Sequence, residues 1–293
     1  MASVQARLKA VQMTSDLAEL IAALSDPSPL VIEAAAKRIS APAAAGPLLD
    51  AYLRLDAGGP KTDSGCWGRM AVLEALARTG EPAAEPAARR AIKTVQVEGL
   101  NHKITDTATG LRCAAAALLA NLRAAGALID LAIVLNDFEP NFGCSAQERP
   151  YAKLAPRVAA AKAIGALGDP AGAAVLAVKL AYPGEELPEV LAECMDALVA
   201  LREPRAMEIL SPWLRHANAY LVSVAATGLA RSGGAAAVAE LEQAAGDVVA
   251  DARASVVYAL ASIRAEATLP ALRRLAEHDD QRVSRAAREY IAD

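Results

Sequence analysis

Aromatic side chains are scarce in this chain: 3% of 293 residues, with only two tryptophans and two phenylalanines. Whatever core it forms must therefore be filled by aliphatic contacts. Histidine occurs three times, at positions 102, 216 and 278. These lie far apart in the sequence, so none stands as an obvious general base beside a nucleophile. Ser64-Gly65-Cys66 and Gly143-Cys144-Ser145 lack a nucleophile-elbow or protease setting. The four cysteines, at 66, 113, 144 and 194, show no metal-knuckle spacing, and reduced thiols in a cytoplasmic protein are expected. No run of about 18 uncharged apolar residues is present, so no span of a membrane is predicted. Met1 to Met13 carries Arg7 and Lys9 without a long apolar stretch after them and is not read as a signal peptide. The net charge of −4 gives no general attraction to nucleic acid. Arg264, Arg273, Arg274, Arg282, Arg285 and Arg288 cluster near the end, but Glu266, Glu277, Asp279 and Asp280 balance them, which describes a solvated polar end rather than a phosphate track. Gly58-Gly59-Pro60-Lys61-Thr62 has neither the spacing nor the preceding strand of a phosphate loop and reads as a turn.

What the chain has is alanine and recurrence. The segment Arg157-Val-Ala-Ala-Ala-Lys-Ala-Ile-Gly-Ala-Leu-Gly168-Asp169-Pro170 returns in weakened form along the sequence. Its turn aligns with Leu76 to Pro82, Leu198 to Pro204, Leu229 to Gly233, Leu260 to Arg264 and, more loosely, Leu119 to Arg123. The equivalent positions are 80, 123, 168, 202, 233 and 264, with successive differences of 43, 45, 34, 31 and 31. Self-similarity at such periods predicts stacked helical hairpins, each burying its apolar face only against its neighbours. Within the clearest copy Val158, Ala161, Ile164 and Leu167 spread over a wide helical arc, as on a helix packed on more than one side. Gly168 is expected to end that helix in the left-handed conformation, with Asp169 as N-cap and Pro170 as first residue of the next. Glu81-Pro82 and Glu203-Pro204 carry the same signal with a poorer capping residue. The following helix is predicted to run through Val175, Leu176 and Leu180. Alanine favours the helix and lets axes approach closely.

These residues resemble the HEAT-repeat family, in particular the short bacterial repeats named after phycobilisome lyases, whose signature reads V-R-x-x-A-A-x-A-L-G-x-L-G-D. Arg157 to Pro170 matches it with the first two residues in reversed order, and the other copies match in part. The resemblance covers roughly residues 28 to 293. It implies an all-α protein, a right-handed α-α superhelix of about six to eight helical-hairpin units. Residues 1–27 would form an N-terminal helical cap, 28–293 a single solenoid, and 282–293 a C-terminal capping helix. Members of the family include scaffolds, chromophore lyase subunits, alkylation glycosylases and an iron-dependent hydroxylase. The repeated His-Glu pairs of the hydroxylases are absent here.

The uneven spacing is the best functional clue. Surplus residues fall in 56–66, 97–110 and 136–151, expected as long loops between units, which in a solenoid project from one edge. Both phenylalanines, Phe138 and Phe142, lie in the third segment, with Tyr151 at its end. Trp67 closes the first, and His102 lies in the second. Rare aromatic residues on one edge point to a partner-binding surface, since such residues carry binding energy at interfaces. The other reading is that they fold back over the exposed end of an alanine-rich core. His102, Asp106, Asp137, Cys66 and Cys144 do not form a diagnostic metal set, and no metal or other cofactor is expected. A Cys66–Cys144 disulfide would need loops two units apart to meet. Cys113 and Cys194 read as small core residues, and His216 and His278 as helix-end residues facing the helix dipole.

Two functions remain open. The first is a non-enzymatic protein–protein interaction scaffold or adaptor that uses the solenoid surface and the loop edge at Trp67, His102, Phe138, Phe142 and Tyr151, with no membrane or nucleic-acid partner. The second, implied by the resemblance alone, is a chromophore-lyase-like or other small-molecule-handling protein. That would need an apolar pocket between the loops and the solenoid.

Overall fold

The computed structural model describes residues 2–100, 103–137, 154–184 and 186–291. His102, Phe138, Phe142, Cys144 and Tyr151 lie outside these. The described chain is all-α apart from one two-stranded ribbon, and it divides into two compact units, residues 1–167 and 168–293.

In the N-terminal unit the helices are α1 (Val4–Met13), α2 (Leu17–Ala23), α3 (Pro29–Ala36), α4 (Ala45–Gly58), α5 (Trp67–Thr79), α6 (Glu85–Ala91), α7 (Thr109–Asn121), α8 (Ala127–Leu135) and α9 (Leu154–Leu167). The odd-numbered helices stack in sequence, α1 on α3, α3 on α5, α5 on α7 and α7 on α9, and the even-numbered ones pack alongside as a second layer. In the C-terminal unit α10 (Ala171–Ala181), α12 (Ala206–Leu210), α14 (Gly234–Ala244) and α16 (Thr268–Ala276) form one layer. There α11 (Pro188–Ala200), α13 (Ala219–Ser232), α15 (Arg253–Ala261) and α17 (Gln281–Arg288) form the other. Each unit is thus a stretch of α-solenoid. The interlayer core is aliphatic, built from leucines such as Leu76, Leu118, Leu198 and Leu229 with alanines between them. Tyr52 is a fully buried aromatic exception, its hydroxyl donating to the Ala87 carbonyl.

The repeated turn exists in backbone geometry. Gly80, Gly168 and Gly233 have φ of +69°, +70° and +73°. Two arginines at the aligned positions, Arg123 and Arg202, take the same left-handed conformation at +49° and +54°. Arg264 does not. After each turn that carries Asp or Glu before proline, that side chain accepts the N–H two residues on: Glu81 from Ala83 at 3.1 Å, Asp169 from Ala171 at 2.9 Å and Glu203 from Arg205 at 3.2 Å.

A second regularity was not visible in the sequence. Arginines reach from one repeat to the carbonyls that end a helix in the preceding one. Arg38 donates to the Gln12 and Thr14 carbonyls, within and just beyond the last turn of α1, and Arg54 to Leu24 after α2. Arg78 donates to Ala36 and Ile39 at the end of α3, and Arg112 to Thr94 after α6. Helix C-termini leave carbonyls without intrahelical partners, and a cation there is favoured by the helix dipole. These contacts hold successive hairpins in register.

Two of the segments expected as loops are structured. Helix α4 continues through Asp56 to Gly58 and stops only where Gly59 adopts φ +53°; short 3-10 turns then carry the chain to α5. Segment 97–110 holds an antiparallel hairpin, β1 (Val97–Leu100) and β2 (Lys103–Asp106), with Val97 opposite Asp106. The third segment, 136–151, is described only at Asn136 and Asp137.

Candidate functional site

The N-terminal unit brings two of the three expected segments together at one edge. Tight backbone geometry makes this possible. Gly65 and Cys66 both have positive φ, +76° and +58°, and reverse the chain just before α5. Asp63 then caps that helix: its carboxylate accepts the N–H groups of Gly68 and Arg69 at 2.9 and 3.0 Å and the Arg69 Nε at 3.1 Å. Asp63 is fully buried, and the Arg69 side chain is 3% exposed. Two buried charges survive there because they satisfy each other. The rest of the guanidinium reaches Asp56 at 3.3 Å, the Cys66 Sγ at 3.2 Å and the Gln96 side-chain oxygen.

Gln96 carries the network to the hairpin. Its amide donates to the Asp63 carbonyl at 3.0 Å and to Glu98 at 2.9 Å. Glu98 also accepts from the Ser64 hydroxyl and the Gly65 N–H, both at 2.8 Å, and from the Thr107 hydroxyl. Desolvation opposes ionisation of Glu98, but the donors Thr107, Gln96, Gly65 and Ser64 outweigh it and hold the carboxyl down to about 2. At the hairpin base Asp106 accepts the N–H groups of Gln96 and Ala108 and pairs with Arg112 at 2.7 Å. Asp106, considered above as a metal ligand, is thus buried in a structural pair.

The outcome is a rigid edge with apolar groups in water. Trp67 is 53% exposed and its ring lies over Gly65, where a Cβ would come within 2.4 Å of the indole nitrogen. Val95, Val97 and Ile104 are exposed beside or on the hairpin. Of the five residues expected to bind a partner, the described structure contains Trp67 alone. The hairpin residues Val97 and Ile104 were missed, because their exposure follows from a strand pair not foreseen.

Other sequence readings resolve locally. Burial pushes the Cys66 thiol up to about 11 and Cys194 up to about 12, so both are protonated, inert thiols. Cys194 is fully buried, whereas Cys113 is only half-buried. His216 and His278 each accept on Nδ1 the N–H two residues on, at 3.0 Å. Among the described residues no three His, Cys, Asp or Glu converge as a metal set, and no helix is long and apolar enough to cross a membrane. Several C-terminal arginines are paired, Arg274 with Glu242, Arg282 with Asp251 and Arg253 with Asp280.

Comparison with known proteins agrees with this architecture. The model of HEAT repeats matches residues 210–292. No curated protein matches the chain. Among solved structures, the complex of CpcE and CpcF of phycocyanin lyase from Nostoc sp. PCC7120 is similar at 20% identity and a TM-score of 0.52, over 95% of this chain and 94% of that one. Human deoxyhypusine hydroxylase in complex with glycerol is 20% identical with a TM-score of 0.37, over 89% and 91%. A designed armadillo repeat protein is 16% identical with a TM-score of 0.33, over 94% and 99%. At these identities the likeness to the lyase complex is one of fold.

Proposed function

We propose that this HEAT-repeat protein is a non-enzymatic scaffold that holds a protein partner on the edge formed by Trp67 and the β1–β2 hairpin. The observation that carries the reading is the coupling of exposure to rigidity. Apolar side chains stand in water on a backbone fixed by the Asp63–Arg69–Gln96–Glu98 network, whose first three members are buried and whose fourth, Glu98, is half-buried. Preorganised apolar groups lose little entropy on binding, and aromatic anchors are where interface energy concentrates. The polar groups beneath the edge support the same reading. Asp63, Arg69, Glu98 and Asp106 are each committed to structural hydrogen bonds, and the Cys66 thiol is held protonated. The HEAT repeats at 210–292 are consistent with a scaffold. Free thiols at Cys66, Cys113 and Cys194 fit a reducing cytoplasm.

The test is retention from host lysate by wild type against a Trp67→Ala/Ile104→Asp variant, followed by titration of the purified retained protein. Loss of one specific partner with unchanged far-UV circular dichroism is expected. Equal retention by both proteins, or loss of cooperative unfolding in the variant, would overturn the assignment.

A further inference from the structure

The C-terminal unit has an apolar trough of its own, separate from the edge at Trp67. It has a volume of ≈ 700 Å³ and opens between the end of α10 and the 3-10 turn 211–215 that continues α12. Binding sites for ligands usually fall at about 300–1,000 Å³. Leu180 and Trp213 line it from buried positions, and Val178 and Tyr182 stand at its lip with 61% and 81% of their surface in water. Tyr182 is among the most solvent-exposed large apolar side chains described, in a chain that has six tyrosines and few other aromatics. Trp213 stacks on His216 with ring centroids 5.3 Å apart and planes inclined by 29°, which turns one wall into a flat aromatic surface.

The polar groups of the rim are matched to an anion. Arg205 and Glu208 neutralise each other through two hydrogen bonds at 2.8 and 2.7 Å. Arg215 is exposed and forms no ion pair among the described residues; Glu240 and Asp247 line a neighbouring depression with it, and on the trough itself Arg205, Glu208 and Arg215 leave a net charge of one positive. His216 uses Nδ1 to accept the Asn218 N–H, which leaves its Nε2 as the group able to donate outward. The trough is open rather than enclosed, a shape suited to a chain passing through it.

We propose that this trough binds an acidic peptide segment of a partner protein. An aromatic anchor side chain of the peptide sits against Trp213 and Tyr182, and a carboxylate next to it in sequence pairs with Arg215. Apolar anchoring and charge complementarity are supplied by different residues, so each can be removed separately. The site is independent of the edge at Trp67, and either can fail without the other.

The chain has two tryptophans, so Trp67→Phe leaves Trp213 as the sole indole reporter. In that full-length background, Trp213 emission is followed during titration with Ac-Pro-Phe-Glu-Glu-NH2, Ac-Pro-Phe-Lys-Lys-NH2 and Ac-Pro-Ala-Glu-Glu-NH2. A saturable change with the first peptide alone is expected, weakening as salt rises from about 50 to about 300 mM. Arg215→Gln should weaken it about tenfold, the equivalent of about 1.4 kcal/mol. Val178→Asp, at an exposed lip position, should abolish it, with circular dichroism unchanged in both variants. No saturable change up to about 5 mM peptide, an equal response to the lysine peptide, or saturable binding of dodecanoate without any of the peptide, would each overturn the proposal.

Discussion

Removing the Asp63 carboxylate tests the claim that the Trp67 edge is held by a buried charge pair. Asp63→Ala deletes three accepted hydrogen bonds, at 2.9, 3.0 and 3.1 Å, and leaves Arg69, 3% exposed, with Asp56 at 3.3 Å as its remaining carboxylate. Loss of a helix cap costs about 1 kcal/mol. Stripping a buried charge of its partner costs about 3–5 kcal/mol, here reduced because Asp56 stays within reach. We expect a total of about 3 kcal/mol. Arg69→Met alone should cost about 2 kcal/mol, since Asp63 keeps its two backbone donors. The double variant has no buried unpaired cation and should lie within about 1 kcal/mol of Arg69→Met, a coupling of about 2 kcal/mol. Urea unfolding followed by far-UV circular dichroism gives the global term, and Trp67 emission in a Trp213→Phe background reports the edge itself. A double variant at least as unstable as the sum of the two single ones would refute the reasoning.

Three further outcomes follow from the geometry. Arg202→Gly should stabilise by about 0.5–1 kcal/mol, since a side chain in the left-handed region costs about 1–2 kcal/mol and glycine gives back part of that as chain entropy; a lower melting temperature would show that the Arg202 side chain makes a compensating contact. Gly168→Val should destabilise by about 2 kcal/mol purely through backbone strain, because a Cβ there meets nothing within 4 Å, and Gly168→Asn should cost clearly less. Glu98 is held below its ordinary value of 4.5, so its contribution is complete above that pH and is lost as pH falls through about 2. Glu98→Gln should therefore flatten the acid limb of the stability curve between about 4.5 and 2, and an unchanged limb would remove Glu98 from the network.

The repeat turns were legible because glycine marks them and a single well-formed copy exists at 157–170. Aligning the poorer copies on it placed Arg123 and Arg202 at turn positions, and both take the conformation that glycine takes elsewhere. The end of α4 was misjudged because Asp56 looked like a loop residue, whereas the helix persists until the positive φ of Gly59 ends it. The hairpin at 97–106 was illegible for a different reason. Strands of four residues carry little periodic signal, and this pair is held by contacts distant in sequence, Glu98 to Ser64 and Gln96 to Arg69. Trp67 was selected for its rarity and its place at the end of the 56–66 segment and is 53% exposed, while Val97 and Ile104 beside it had nothing in the sequence to single them out.

The arginines that cap helix ends also impose a direction on the molecule. Arg38, Arg54, Arg78 and Arg112 each reach back to carbonyls made 18 to 42 residues earlier. A ribosome emitting this chain therefore releases the ends of α1, α2, α3 and α6 before the arginines that reach them have emerged. At those four ends the older helix waits on the younger repeat, and a chain cut before Arg38, Arg54, Arg78 or Arg112 loses the donor that reaches back to it.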